Sequence, residues 1–227
     1  MKLRSIILRK RLITNCINLP RTSPGNKHME INELYSLYEE HFVPAYADLT
    51  IFTLKKYEEV MNGIHDAFFH VMQSFNDKTD PEVQNGNVKK AYDHILRSTL
   101  DCYKIMWVEL KTKLDAVYLD PEKRTYCFCL PVDEVISQYD VFQERSKEAR
   151  KIEIENVGVS QLASLESWKG AISKGLELYE GIDWVKIESL ERDRIKWRSK
   201  ETLIGFLIGI ASSTVAAIIW ACLTHVT

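Results

Sequence analysis

Residues 203 to 223 read LIGFLIGIASSTVAAIIWACL, an uncharged run whose only polar members are Ser212, Ser213 and Thr214. At about 1.5 Å of rise per residue a helix over this run is about 31 Å long, matching the hydrocarbon core of a bilayer at about 30 Å. The run therefore predicts a single transmembrane helix. A core helix of a soluble domain would need polar helices packed around every side of it, and only residues 224 to 227 follow. Trp197 and Trp220 bracket the run. They lie about 34 Å apart along a helix, which places one indole near each membrane interface.

The flank fixes an expected orientation. Arg192, Arg194, Lys196, Arg198 and Lys200 stand against Asp193 and Glu201 just before the run. Basic residues beside a span are retained on the cytoplasmic side. The body is thus expected in the cytosol and the short tail 224–227 on the opposite side, which is the topology of a tail anchor. Inside the run, Gly205, Gly209, Ser213, Ala217 and Ala221 recur every four residues. In lipid no hydrophobic drive brings helices together, so a small-residue ridge that lets backbones approach is a principal means of association. The ridge predicts a homo-oligomer formed through the span. A water-filled pore is the weaker expectation, since three hydroxyls are the only polar lining and no ionisable residue marks an ion path.

The remaining sequence reads as a helical bundle. Charged residues make up 27% of the 227, and a formal net charge of −2 hides a lopsided distribution. Residues 1–28 carry seven Lys or Arg and no acid, so the body from 29 to 191 is strongly acidic. Such a body argues against a generally basic, nucleic-acid-coating domain, and no nucleic-acid partner is expected. Leu54, Tyr57, Met61, Ile64, Phe68, Val71 and Phe75 are spaced by three and four, which predicts one apolar stripe of a helix. A longer stripe runs Tyr92, Leu96, Thr99, Tyr103, Met106, Leu110, Leu114 and Val117, between Pro81 and Gly86 on one side and Pro121 on the other. It predicts a helix of about 30 residues.

A third helix is predicted from Pro131 through Val135, Tyr139 and Phe142 to the neighbourhood of Asn156 and Gly158. The fourth follows Ser160 as N-cap and turns Leu162, Leu165, Trp168, Ile172, Leu176 and Tyr179 inward. Gly181 and Asp183 mark its stop and the restart of a juxtamembrane helix. No Pro lies between Asp183 and the apolar run, so that helix is expected to continue into the span. The alternating segment Arg124 to Pro131, RTYCFCLP, reads as a connector, because one strand makes no sheet.

The predicted organisation is all-α: a basic N-terminal segment 1–28, a cytosolic antiparallel helical bundle 29–182, a basic juxtamembrane helix 183–202, a single C-terminal transmembrane helix 203–223 and the tail 224–227. The basic segment reads as a disordered tail or as upstream of a true start at Met29; lying on anionic lipid or directing organelle import are the alternatives. Five cysteines without a CxxC pair indicate a reducing compartment, and no metal or cofactor is expected.

General bases and metal ligands concentrate at histidines, and two carboxylate–imidazole pairs stand out. Asp66 and His70 share a helical face, and Asp93 and His94 lie on the facing helix. A carboxylate orienting an imidazole is a usable base. No HExxH, Gly-rich phosphate loop or GxSxG accompanies them, and no catalytic residue is assigned. Three functional expectations follow. The first is a membrane-tethered interaction or sensing protein with a bilayer and a cytosolic protein as partners. The second is a membrane-perturbing effector or toxin whose spans oligomerise, and the third a membrane-bound hydrolase near Asp66, His70 and His94.

Overall fold

A computed structural model describes residues 31–76, 80–156 and 162–224. The basic segment 1–28, Ser160, Gly158 and the tail 225–227 lie outside the described residues. The chain is all-α, with one residue-pair bridge between Phe128 and Ile182. In chain order the helices are α1 Ile31–Leu37, a π-helical turn Tyr38–Phe42, α2 Val43–Thr53, α3 Glu58–Ser74, α4 Pro81–Tyr118, α5 Pro121–Tyr126, α6 Val132–Glu155, α7 Leu162–Glu180 and α8 Trp184–Thr224.

The organising element is α4, 38 residues and about 57 Å long. Its predicted stripe is its buried face: Leu96, Thr99, Tyr103, Met106, Leu110, Leu114 and Val117 are all buried, with Tyr92 packed at the edge. α3 lies antiparallel to it, since Gly63 faces Ser98 while His70 meets Asn87. α6 is also antiparallel: Trp107 Nε1 donates to Ser146 Oγ at 2.7 Å, while Lys104 Nζ reaches Glu153 at 3.2 Å. α7 runs parallel to α4, with Trp107 edge-on to Trp168 at 5.9 Å and Gly175 against Leu110. A Cβ at Gly175 would stand 2.6 Å from Leu110 and 2.7 Å from Phe142, so α4, α6 and α7 meet at a point where any side chain must push its buried neighbours aside.

The predicted inner faces of α6 (Val135, Tyr139, Phe142) and α7 (Leu165, Trp168, Ile172, Leu176, Tyr179) are buried. The α3 stripe is different from the expectation. Val60 and Ala67 are buried, with Ile64 and Val71 beside them, whereas Phe68 and Phe75 face outward. Leu54 belongs to no stripe: it is the left-handed C-cap of α2, at φ 60°, and 70% exposed.

The segment 31–53 adds helices that periodicity did not announce. Leu34, Leu37, Phe42, Ala45 and Leu49 are buried. The π-turn ends where Val43 N–H bonds Tyr38 O, one residue before Pro44. Proline has no N–H and its ring crowds the carbonyl four residues back, so the wider turn accommodates it.

The connector after α4 carries a short helix, α5. Asp120 caps it by accepting from Glu122 N–H and Lys123 N–H at 3.1 Å each, with Pro121 in the first turn. Beyond it, Cys129 N–H donates to Gly181 O at 2.8 Å and Asp183 N–H to Cys127 O at 2.7 Å. These bonds fasten the α5–α6 link to the α7–α8 link, and Asp183 then caps α8 through Val185 N–H and Lys186 N–H.

Candidate functional site: the apolar helix and its joint to the bundle

α8 is one unbroken helix of 41 residues from Trp184 to Thr224, as the absence of proline predicted. It is long and apolar enough to cross a membrane, and none of its apolar stretch is buried against the rest of the chain. Packing holds only its first two turns. Trp184 lies 5.3 Å from the Tyr179 ring, which meets Phe52 edge-on at 5.5 Å, and Ile187 is buried. Every residue from Glu191 to Ile218 is exposed.

The three hydroxyls in the apolar run are satisfied inside the helix. Ser212 donates to Ile208 O at 2.6 Å, Ser213 to Gly209 O at 2.9 Å and Thr214 to Ile210 O at 2.6 Å. No polar group of these side chains is left to seek water, the condition an apolar surrounding imposes. A Cβ at Gly205 or Gly209 would meet nothing within 4 Å. Gly205, Gly209, Ser213 and Ala217 thus form an open ridge that drifts about 40° per four-residue step around the helix. The backbone of Ala221 continues the helix, and its side chain lies outside the described residues. Trp197 and Trp220 are 66% and 71% exposed.

The basic residues before the run are not equivalent. Arg194 is gripped by α5: its Nη2 donates to Asp120 Oδ1 at 2.9 Å and its Nε to Glu122 Oε2 at 3.0 Å. One turn earlier Lys123 Nζ reaches Glu191 at 2.6 Å. The hydrogen bond from Arg194, reinforced by the cap bonds from the Lys123 and Glu122 amides, holds the Asp120 carboxyl well below the usual carboxylate range. Arg198 lines the groove between α5 and α8 with Arg194, Tyr126 and Trp197. Arg192, Lys196 and Lys200 point elsewhere; Lys196 sits 3.8 Å from Asp193, and Lys200 Nζ lies 5.4 Å from the Trp197 ring centre.

The structure does bring Asp66, His70 and His94 together. The two imidazoles stack at 5.3 Å, and His94 Nδ1 lies 3.9 Å from Asp66 Oδ2. His70 Nδ1 instead pairs with Asn87 Oδ1 at 3.1 Å. The Asp66 to His94 separation exceeds hydrogen-bond reach and the Asp66 side chain is 66% exposed, so the carboxylate does not orient the ring. Burial raises the Asp93 carboxyl above the ordinary value, against the opposing charges of Lys89, Arg97 and His94. Among the described residues no group of three or more His, Cys, Asp or Glu is arranged to hold a metal ion.

Two further features escaped the sequence. His41 is in the π-turn, where burial lowers its imidazole and the charges of Glu166 and Lys169 act in opposite directions. Asp48 and Tyr103 are buried in the same region, and burial with the charges of Glu166 and Asp48 raises the Tyr103 hydroxyl above its ordinary range. The other feature is the outer side of α3, where Phe68, Phe69, Met72 and Phe75 are each more than half exposed. Adjacent exposed aromatics at helical spacing form an apolar face larger than scattered surface residues make.

No family model, curated protein or solved structure matches this chain.

Proposed function

We propose that this chain is a membrane-tethered interaction or sensing protein. In this reading α8 spans the bilayer, the bundle stands on the cytosolic side, and copies associate along the small-residue ridge. One observation carries it: α8 continues unbroken past its last contacts with α5, at Glu191 and Arg194, as an uncovered apolar helix. The basic residues between Arg192 and Lys200 support the cytosolic side. The outer face of α3 supports a protein partner for the bundle, since such a face is more stable when covered by protein than by water.

The second reading, a membrane-perturbing effector whose spans oligomerise, uses the same helix and ridge and is separated by dye leakage from vesicles; the third, hydrolysis near Asp66, His70 and His94, falls if His70→Ala with His94→Ala leaves function intact. The test is membrane fractionation with crosslinking of the full chain. The expected result is retention in the membrane pellet after an alkaline carbonate wash, with crosslinked multimers that Gly209→Ile diminishes. Recovery of a soluble monomer would overturn the proposal.

A further inference from the structure

The fold divides the five basic residues before the apolar run between two sides of α8. Arg194 is engaged by Asp120 and Glu122, and Arg198 lines the α5–α8 groove beside it. Arg192, Lys196 and Lys200 line no part of that groove. On a helix turning about 100° per residue they fall within an arc of about 80°, centred roughly 160° away from Arg194. Their side of α8 faces away from α5, and it continues downward into Leu203 and the apolar run.

Charge on this arc is net positive where it nears the run. Asp193 lies at its margin, 3.8 Å from Lys196 Nζ in an exposed pair. Glu188, whose carbonyl accepts from Arg192 Nε at 3.3 Å, lies at the end far from the apolar run. Lys200 stands about 5 Å of helix rise above Leu203, Lys196 about 10 Å and Arg192 about 16 Å. In the structure all three side chains reach back along α8, Arg192 to the Glu188 carbonyl, Lys196 to Asp193 and Lys200 to Trp197; each is exposed, so it is free to swing down to the headgroup layer of a leaflet, about 5–8 Å thick.

We propose that Arg192, Lys196 and Lys200 form a binding face for anionic phospholipid headgroups. Their cationic donors take the lipid phosphate and carboxylate, while Arg194 is reserved for α5 and takes no part. The inference rests on the reading of α8 as a membrane span. Its strength is graded by depth: Lys200 contributes most, Lys196 less and Arg192 least, because attraction to surface charge decays within a Debye length.

The experiment uses the full chain reconstituted in phosphatidylcholine bilayers with trace spin-labelled phosphatidylserine or phosphatidylcholine, reading the fraction of each lipid immobilised by protein. Phosphatidylserine is expected to be favoured about two- to five-fold at low salt, and the preference to fade in molar salt. Lys200→Gln, Lys196→Gln and Arg192→Gln should reduce it in that descending order, and the triple variant should abolish it. Arg194→Gln should leave it intact. Equal immobilisation of both lipids, or a loss with Arg194→Gln as large as with Lys200→Gln, would overturn the proposal. Immobilisation of neither lipid would instead contradict the membrane span, and the lipid-binding face would fall with it.

Discussion

Arg194 of α8 and Asp120 of α5 are 74 residues apart in the chain and meet fork to fork, each guanidinium nitrogen of the pair on its own carboxylate oxygen. The same carboxylate caps α5, so one side chain ends a loop, starts a helix and grips the element that leaves the bundle. With Lys123–Glu191 it is a clamp between the bundle and α8.

Breaking the clamp should change geometry more than stability, because in each of its pairs at least one partner (Arg194, Glu122 or Glu191) is exposed and such pairs are screened. With nitroxides on α5 and α8 outside the groove, Arg194→Asp should broaden the interspin distance distribution while the melting temperature stays nearly constant. The swap Arg194→Asp with Glu122→Arg, which leaves the Asp120 cap in place, should narrow it again. An unchanged distribution in the single variant would show that the pair does not hold α8. Raising salt to about 1 M, where the Debye length is about 3 Å, should act in the same direction as the single variant.

Acid should act on His41 long before it acts on the clamp. The folded chain disfavours the charged imidazole, so the unfolded state takes up a proton near 6.5 while the folded state resists. The stability this group contributes is complete above that value and is lost as pH falls below it. Asp120 is lowered by Arg194, so its contribution persists until pH drops below 3.8 towards its folded value. Melting of the bundle from pH 8 to pH 5 should therefore decline, and His41→Gln should flatten the decline. An identical slope in the variant would remove His41 from the explanation.

Two glycines of α7 should respond with opposite signs to the same substitution. Gly175→Ala drives a methyl into Leu110 and Phe142, both fully buried, and should destabilise the bundle by about 1–3 kcal/mol. Gly170→Ala meets nothing within 4 Å and should stabilise by up to about 1 kcal/mol through helix propensity. Denaturant unfolding of the two variants checks both, and equal signs would refute the packing at Gly175.

Leu54 should be improved by glycine. It occupies the left-handed region at the end of α2, where a Cβ is costly, and being 70% exposed it gives up little burial. Leu54→Gly should gain about 0.5–1 kcal/mol. A loss of stability would mean that the exposed leucine makes contacts worth more than its strain.

The parts of the fold legible in the sequence are those where large apolar residues face one way. α4, α6 and α7 have this property, and their stripes from Tyr92 to Val117, Val135 to Phe142 and Leu162 to Tyr179 were readable by spacing. α3 is apolar on two sides. Its inner face uses small Val60, Gly63 and Ala67 to approach α4, with Tyr57, Ile64 and Val71 of the predicted stripe beside them; bulky Phe68 and Phe75 share the spacing but face outward. Before Pro44 the π-turn shifts the register, so no single period spans 31 to 53.

The start of α5 did carry a local signal. Asp-Pro-Glu occurs at 80–82 and at 120–122, and each time aspartate caps and proline enters the first turn. Pro121 was read only as the end of the preceding helix. Of the site, the ridge, the tryptophans and the basic cluster were visible as composition. The clamp was not, because no spacing rule relates residue 120 to residue 194. Packing had to bring them together.

The most direct measurement of the central claim is a nitroxide scan along residues 203 to 218 of the full chain in lipid bilayers, reading accessibility to oxygen and to a water-soluble nickel chelate. If α8 spans the bilayer, oxygen accessibility rises towards Ser213 and the chelate is excluded throughout. A chelate profile that rises and falls every three to four residues would place the helix at a water boundary and contradict the account.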